Sequence, residues 1–108
     1  MGTSRRYAHH YDELMDQRIV ERVAATAGPL QSLSREEIGL DTKPVTRDPQ
    51  PKAVRAWVRF GGTPVLVDAT ASSWTSAAVA IRFVVGAKEF KAWVWSSAVE
   101  EAPARVKG

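Results

Sequence analysis

The sequence predicts an α+β fold in which helices come first and an antiparallel sheet of four to five strands follows. Three observations predict it. Apolar residues recur every three or four positions in the first 27 residues, they alternate with polar ones from Ala53 onward, and three prolines (Pro44, Pro49, Pro51) mark the seam between the two patterns. The chain divides accordingly into a helical arm with an extended linker (1–52) and an antiparallel β domain (53–108), together one folded unit.

From about Tyr7 to Ala27 there is neither Gly nor Pro, and Tyr7, Tyr11, Leu14, Met15, Ile19 and Val23 fall at helical spacing. One amphipathic helix is expected, ended by Gly28-Pro29. A short second helix is signalled by Ser34-Arg-Glu-Glu37, a capping box, with Leu33 and Ile38 at the positions of a hydrophobic staple and Gly39 as its stop. The prolines and charges between Asp41 and Lys52 then predict an extended tether with little to bury.

In the β domain, Val54, Ala56, Val58 and Phe60 alternate with Arg55, Trp57 and Arg59, and Gly61-Gly62 turns the chain into a strand from Val65 to Ala71. That turn sets Val58 against Val65, Ala56 against Val67 and Arg55 against Asp68. A second hairpin turns at Gly86-Ala87, a pair suited to a type II′ turn, and sets Phe83 against Phe90, Ile81 against Ala92 and Val79 against Val94. Side-chain parity excludes a two-residue loop at Ser72-Ser73 unless a bulge intervenes, so a connection of three or five residues is expected. After Trp95, Ser96 to Ala102 reads as one turn and a short edge strand closed off by Pro103 and Lys107.

These registers place Arg55, Trp57, Arg59, Arg82, Lys91, Trp93 and Trp95 on the sheet face opposite the core. Three indoles in water would form a larger apolar patch than a monomer ordinarily exposes, so the face needs a cover or a partner. The first helix is the expected cover, through Tyr11, Leu14, Met15 and Ile19. The sharper expectation is a binding face on which cations alternate with indoles, and burial in a homo-oligomer is a third. Arg82 directly opposite Lys91 predicts water or an anion near that pair. A basic arm, Arg5 and Arg6 beside His9 and His10, is a second candidate contact for nucleic acid.

Composition narrows the classes of function. With 108 residues the chain builds one core, and its net charge of +3 permits nucleic-acid binding without implying it. There is no cysteine, so disulfides, thiol nucleophiles and thiolate metal sites are excluded. Adjacent histidines cannot share a metal as residues four apart on a helix would, no phosphate-cradling glycine loop is present, and the serines lack an identifiable base. The expectation is a non-enzymatic protein with no metal or cofactor, with no membrane span because no apolar run reaches the roughly 18 residues of a spanning helix, and with a cytoplasmic location because a cysteine-free chain this short lacks the staples of a secreted domain and has no apolar segment behind its basic start.

The order of four strands, one helical turn and a last short strand over residues 53–106 resembles a Src-homology-3-like small barrel, by layout only. The stretches Ser4 to Ile19, Leu40 to Thr46, Val54 to Arg59 and Lys91 to Trp95 together resemble a group of short uncharacterised proteins of high-GC Gram-positive bacteria and their phages or plasmids. That resemblance implies an accessory protein of a mobile element and no particular mechanism. The expected function is thus a protein-interaction module with an unidentified protein partner. The alternative is a nucleic-acid-binding protein that uses the Trp/Arg face and the basic arm.

Overall fold

Two short helices and a five-stranded antiparallel sheet make up the computed structural model, which describes residues 15–102. The elements are α1 (Gln17–Thr26), α2 (Arg35–Ile38), β1 (Thr46–Phe60), β2 (Thr63–Trp74), β3 (Ala78–Val85), β4 (Lys88–Trp95), a 3₁₀ turn (Ser96–Ala98) and β5 (Val99–Glu101). The expected helix over Tyr7 to Ala27 is present from Gln17, and its part before residue 15 lies outside the described residues, as do the Arg5/Arg6 arm, Pro103 and Lys107.

The strand order is β4-β3-β2-β1-β5. Both hairpins adopt the expected registers, with Val58 against Val65, Arg55 against Asp68, Phe83 against Phe90 and Ala80 against Trp93. Gly61 and Gly86 supply the positive φ (60° and 61°) at the first turn position, and neither Gly62 nor Ala87 has one. That combination is what a type II′ turn requires. Between β2 and β3 the connection is three residues long, and a bulge between Ala71 and Ser73 reconciles the parity of the two strands. The closing turn and edge strand also form as expected, with β5 pairing Val99 to Ala56 and Glu101 to Val54 on β1.

Residues 46–52, expected as a tether, are instead the exposed first half of β1. Thr46 pairs with Trp74 and Arg47 with Ser73, and the ladder then breaks until Lys52 meets Ala71. The interruption holds Asp48-Pro49-Gln50-Pro51, where proline cannot donate to a ladder and the Asp48 carboxylate accepts from the Gln50 N–H at 2.9 Å. An exposed strand half needs no apolar alternation, so its sequence carries none.

The core lies on one side of the sheet. Val54, Ala56, Val58 and Phe60 of β1 meet Val65, Val67, Ala69 and Ala71 of β2, Ile81, Phe83 and Val85 of β3, and Ala92 and Val94 of β4. Phe60, Phe83 and Phe90 form an aromatic cluster in which Phe90 stacks on Phe83 and meets Phe60 edge-on, both with centroids 5.3 Å apart. Helix α1 covers this core: Val20 is buried in it, and Val23, Ala24 and Ala27 pack against it. The described part of the first helix therefore covers the core face, contrary to the expectation that it hides the tryptophans. Its inward stripe is Val20, Val23, Ala24 and Ala27, the i, i+3, i+4, i+7 pattern, while Ile19 stands exposed.

The segment between the helices joins the two sides of the sheet. At β1, Gly61 N–H donates to the Pro29 carbonyl (2.7 Å), Leu30 bridges Phe60, and Gln31 N–H donates to the Arg59 carbonyl (2.8 Å). At β4, Leu33 N–H donates to the Trp93 carbonyl, and the Trp93 N–H donates to the Ser32 hydroxyl, each at 2.9 Å. The four residues Leu30–Leu33 are thus a strap spanning the gap between β1 and the edge strand β4. They satisfy main-chain groups that an open edge would leave to solvent or to another chain.

A candidate binding face on the outer side of the sheet

The strap delivers α2 to the side of the sheet opposite the core. Ser34 caps it by accepting from the Glu37 N–H (3.1 Å), and the Glu37 carboxylate accepts from the Ser34 N–H (2.8 Å), the reciprocal arrangement its sequence predicts. One turn of helix results, stopped at Gly39. Its Ile38 is 2% exposed and, with Leu66 and Ala78, is buried outside the main core. All three are buried apolar residues that the main core cluster does not include.

Two adjoining clefts open on this face. The first, about 420 Å³, is lined by Trp57, Arg59 and Pro64 from the β1–β2 hairpin, Trp93 and Trp95 from β4, and Leu33 and Glu37 from the strap and α2, and it reaches inward between β1 and β4 to the core residues Val58 and Val94 and to Ala98. The second, about 360 Å³, is a trough across β2, β3 and β4. Thr70, Ser72, Ala80, Arg82, Lys91 and Trp93 line it, and Pro51 of the β1 interruption and Ser32 of the strap border it. Trp93 and Ser32 belong to both clefts. The small side chain of Ala80, directly across from Trp93, leaves space over the middle strand.

The sequence-derived candidates distribute between these clefts. Trp57, Arg59, Trp93 and Trp95 come together in the first, and Arg82, Lys91 and Trp93 in the second. Arg55 lines neither. It sits 3.9 Å from the Asp68 carboxylate and opposite Glu100 in the β5 register, and its Nε is buried without a hydrogen-bond partner. Trp74, the fourth indole, lies elsewhere, with the Lys52 ammonium 5.8 Å from its ring centroid. Ser32, Leu33, Glu37, Pro64, Thr70 and Ser72 are among the lining residues that had not been expected in the site. The capping box and staple gave a signal for α2 but not for where it docks.

The cations of the face are only partly compensated. Arg82 Nε lies 3.4 Å from the Glu89 carboxylate, which answers in part the like charge of Lys91 across the strand pair. Lys91 itself has no carboxylate partner among the described residues. Among those residues no cluster of His, Asp or Glu could hold a metal, and no helix is long and apolar enough to cross a membrane.

The fold and this face define a small α+β domain whose strapped antiparallel sheet carries an aromatic, mildly basic outer surface. In comparisons with protein-family models, curated proteins and solved structures, the chain matches none of them.

Proposed function

We propose that this chain is a non-enzymatic interaction module that binds a protein partner through the cleft between Trp57, Trp93 and Trp95. The observation that carries this reading is the cleft itself: three indoles from two separate hairpins converge there, and Trp95 is left 43% exposed at its rim. Large, stiff aromatic side chains contribute contact area at low entropic cost, and Arg59 and Glu37 at the margin offer both signs of charge to a polar rim. The partner is a polypeptide that inserts an apolar side chain between the indoles.

Charge favours this over the nucleic-acid alternative. Arg55 and Arg82 each face a carboxylate, and Glu37 borders the aromatic cleft, so the face lacks the uncompensated stripe of cations that follows a phosphate backbone. A cytoplasmic accessory role in a mobile element is the biological setting the sequence resemblance suggests, and it accords with a small binding module.

The test is selection of displayed random peptides on the wild-type protein with counter-selection on W95A and R59Q. Enrichment of peptides sharing an apolar anchor, lost on W95A, is the expected result. Titration with short single- and double-stranded DNA at two salt concentrations examines the alternative: no binding is expected, whereas affinity that falls steeply with salt would replace the peptide reading with a nucleic-acid one.

A further inference from the structure

The trough beside the aromatic cleft poses a question that the cleft does not answer, namely what its two neighbouring cations face. Arg82 and Lys91 are directly opposite each other on β3 and β4, a placement that costs stability unless something of opposite sign lies between or above them. Glu89 engages Arg82 from the hairpin end, and Asp68, which lies with Arg82 in a shallow groove on that side, already faces Arg55. Two cations against one committed carboxylate leave a local surplus of about one positive charge. It borders a concavity, unlike the exposed arginines of α1 and α2.

The other walls of that concavity carry hydrogen-bonding groups. Ser72, Thr70 and Ser32 border it; the Thr70 hydroxyl donates to the Arg82 carbonyl (3.5 Å), whereas the Ser32 oxygen accepts from the Trp93 N–H, so its proton is available to an acceptor in the trough. Ala80 keeps the floor low, and Trp93 closes the end shared with the aromatic cleft. One surplus charge with hydroxyl donors suits a single oxyanion and is too little for a polyanion.

We propose that this trough is an oxyanion subsite, held by Lys91 and Arg82 with the Ser32 and Ser72 hydroxyls, which receives a carboxylate or phosphate group of the same polypeptide that occupies the tryptophan cleft. The partner assignment rests on the peptide reading above, whereas the anion site stands on its own geometry. Lys91 and Trp93 are two residues apart on one strand face, about 7 Å, which matches the spacing of alternate side chains in an extended peptide. The partner therefore presents an acidic or phosphorylated residue two or more positions from its apolar anchor.

The experiment uses the full chain and small anions, so that it needs no partner. Backbone NMR shifts are followed during addition of inorganic phosphate, and separately acetate, with chloride holding ionic strength constant. The expected result is a saturable change at Ser32, Thr70, Ser72, Arg82, Lys91 and Trp93 with a Kd of about 1 mM, weakened about tenfold in K91Q. R35Q, on the exposed side of α2, serves as a control that keeps the response. Saturation by both anions assigns the site to either group, and a response to phosphate alone narrows it to a phosphorylated side chain. No difference from chloride, shifts spread equally over Arg18, Arg35 and Arg47, or an unchanged response in K91Q would overturn the proposal. Peptides that still select on the indoles in that case would leave the aromatic cleft standing, and a saturable phosphate response without selected peptides would do the reverse.

Discussion

The Ser32 hydroxyl accepts a hydrogen bond from the Trp93 backbone N–H at 2.9 Å across 61 positions of sequence. Together with the Leu33 N–H on the Trp93 carbonyl, it satisfies both main-chain groups of the one β4 residue that walls both clefts. The fold and the candidate site are therefore coupled through main-chain hydrogen bonds at the half-buried Trp93.

Ser32→Ala should cost about 1 kcal/mol of stability, the typical net worth of one hydrogen bond, and should increase amide exchange at Trp93 more than at Ala92. Hydrogen exchange read residue by residue checks this. Equal protection at Trp93 in the variant would mean that the β4 end of the strap is held by Leu33 alone.

Helix α1 offers a contrast between neighbours. Val20→Ala removes buried methyl groups from the core and should cost about 2 kcal/mol, whereas Ile19→Ala, on an exposed side chain, should stay within about 0.5 kcal/mol. Chemical denaturation of both variants measures the difference. A reversed order would place the helix on its other face.

The glycine pair at the first turn should respond unequally. Gly61 has φ of 60°, and a Cβ there would run into the Ala27 carbonyl oxygen, whereas a Cβ on Gly62 meets nothing within 4 Å. Gly61→Ala should destabilise by at least about 2 kcal/mol through backbone strain and displacement of the α1 terminus. Gly62→Ala should be nearly silent, and thermal melts of the two variants compare them directly.

Asp16 caps α1 by accepting from the Arg18 N–H at 2.8 Å, and that bond, aided by the Arg18 guanidinium, holds its carboxyl below the ordinary value of 3.8. A depressed folded-state pKa contributes stability that is fully present above the unfolded value and is lost as pH falls through the folded one. D16N keeps a capping side chain that does not titrate. Its melting temperature should therefore approach that of the wild type as pH falls from about 5 to 3. Parallel profiles would assign the acid sensitivity to other carboxylates.

Much of the sheet was legible in the sequence because turns fix registers. Gly61-Gly62 and Gly86-Ala87 each leave one pairing that keeps the apolar residues together, and from there Trp57, Trp93 and Trp95 must share a face. The helix was harder to read. Its apolar arc is broad enough that Met15, Ile19 and Val23 look as suitable as Val20, Val23, Ala24 and Ala27, and small alanines carry the actual packing. Alternation along the strands gives two faces but does not say which one the helix covers. The strap left no trace in side-chain pattern because main-chain groups make nearly all its bonds, and the first half of β1 read as a tether because its prolines and charges mask a strand that buries little. In the candidate site, the indoles and cations followed from register. Ser32, Leu33 and Glu37 could not, since a capping box locates a helix along the chain and not against a surface.

The strap also sets an order of events during synthesis. Leu30–Leu33 leaves the ribosome before either of the strands it joins has been made, and its β4 partner follows only after β1, β2 and β3. A nascent chain can form the first hairpin and seat Gln31 against Arg59, yet the other half of the strap has nothing to hold until Trp93 emerges. Neither cleft can consequently form before β4 does, and a chain interrupted before that strand would hold the first hairpin's residues but neither cleft.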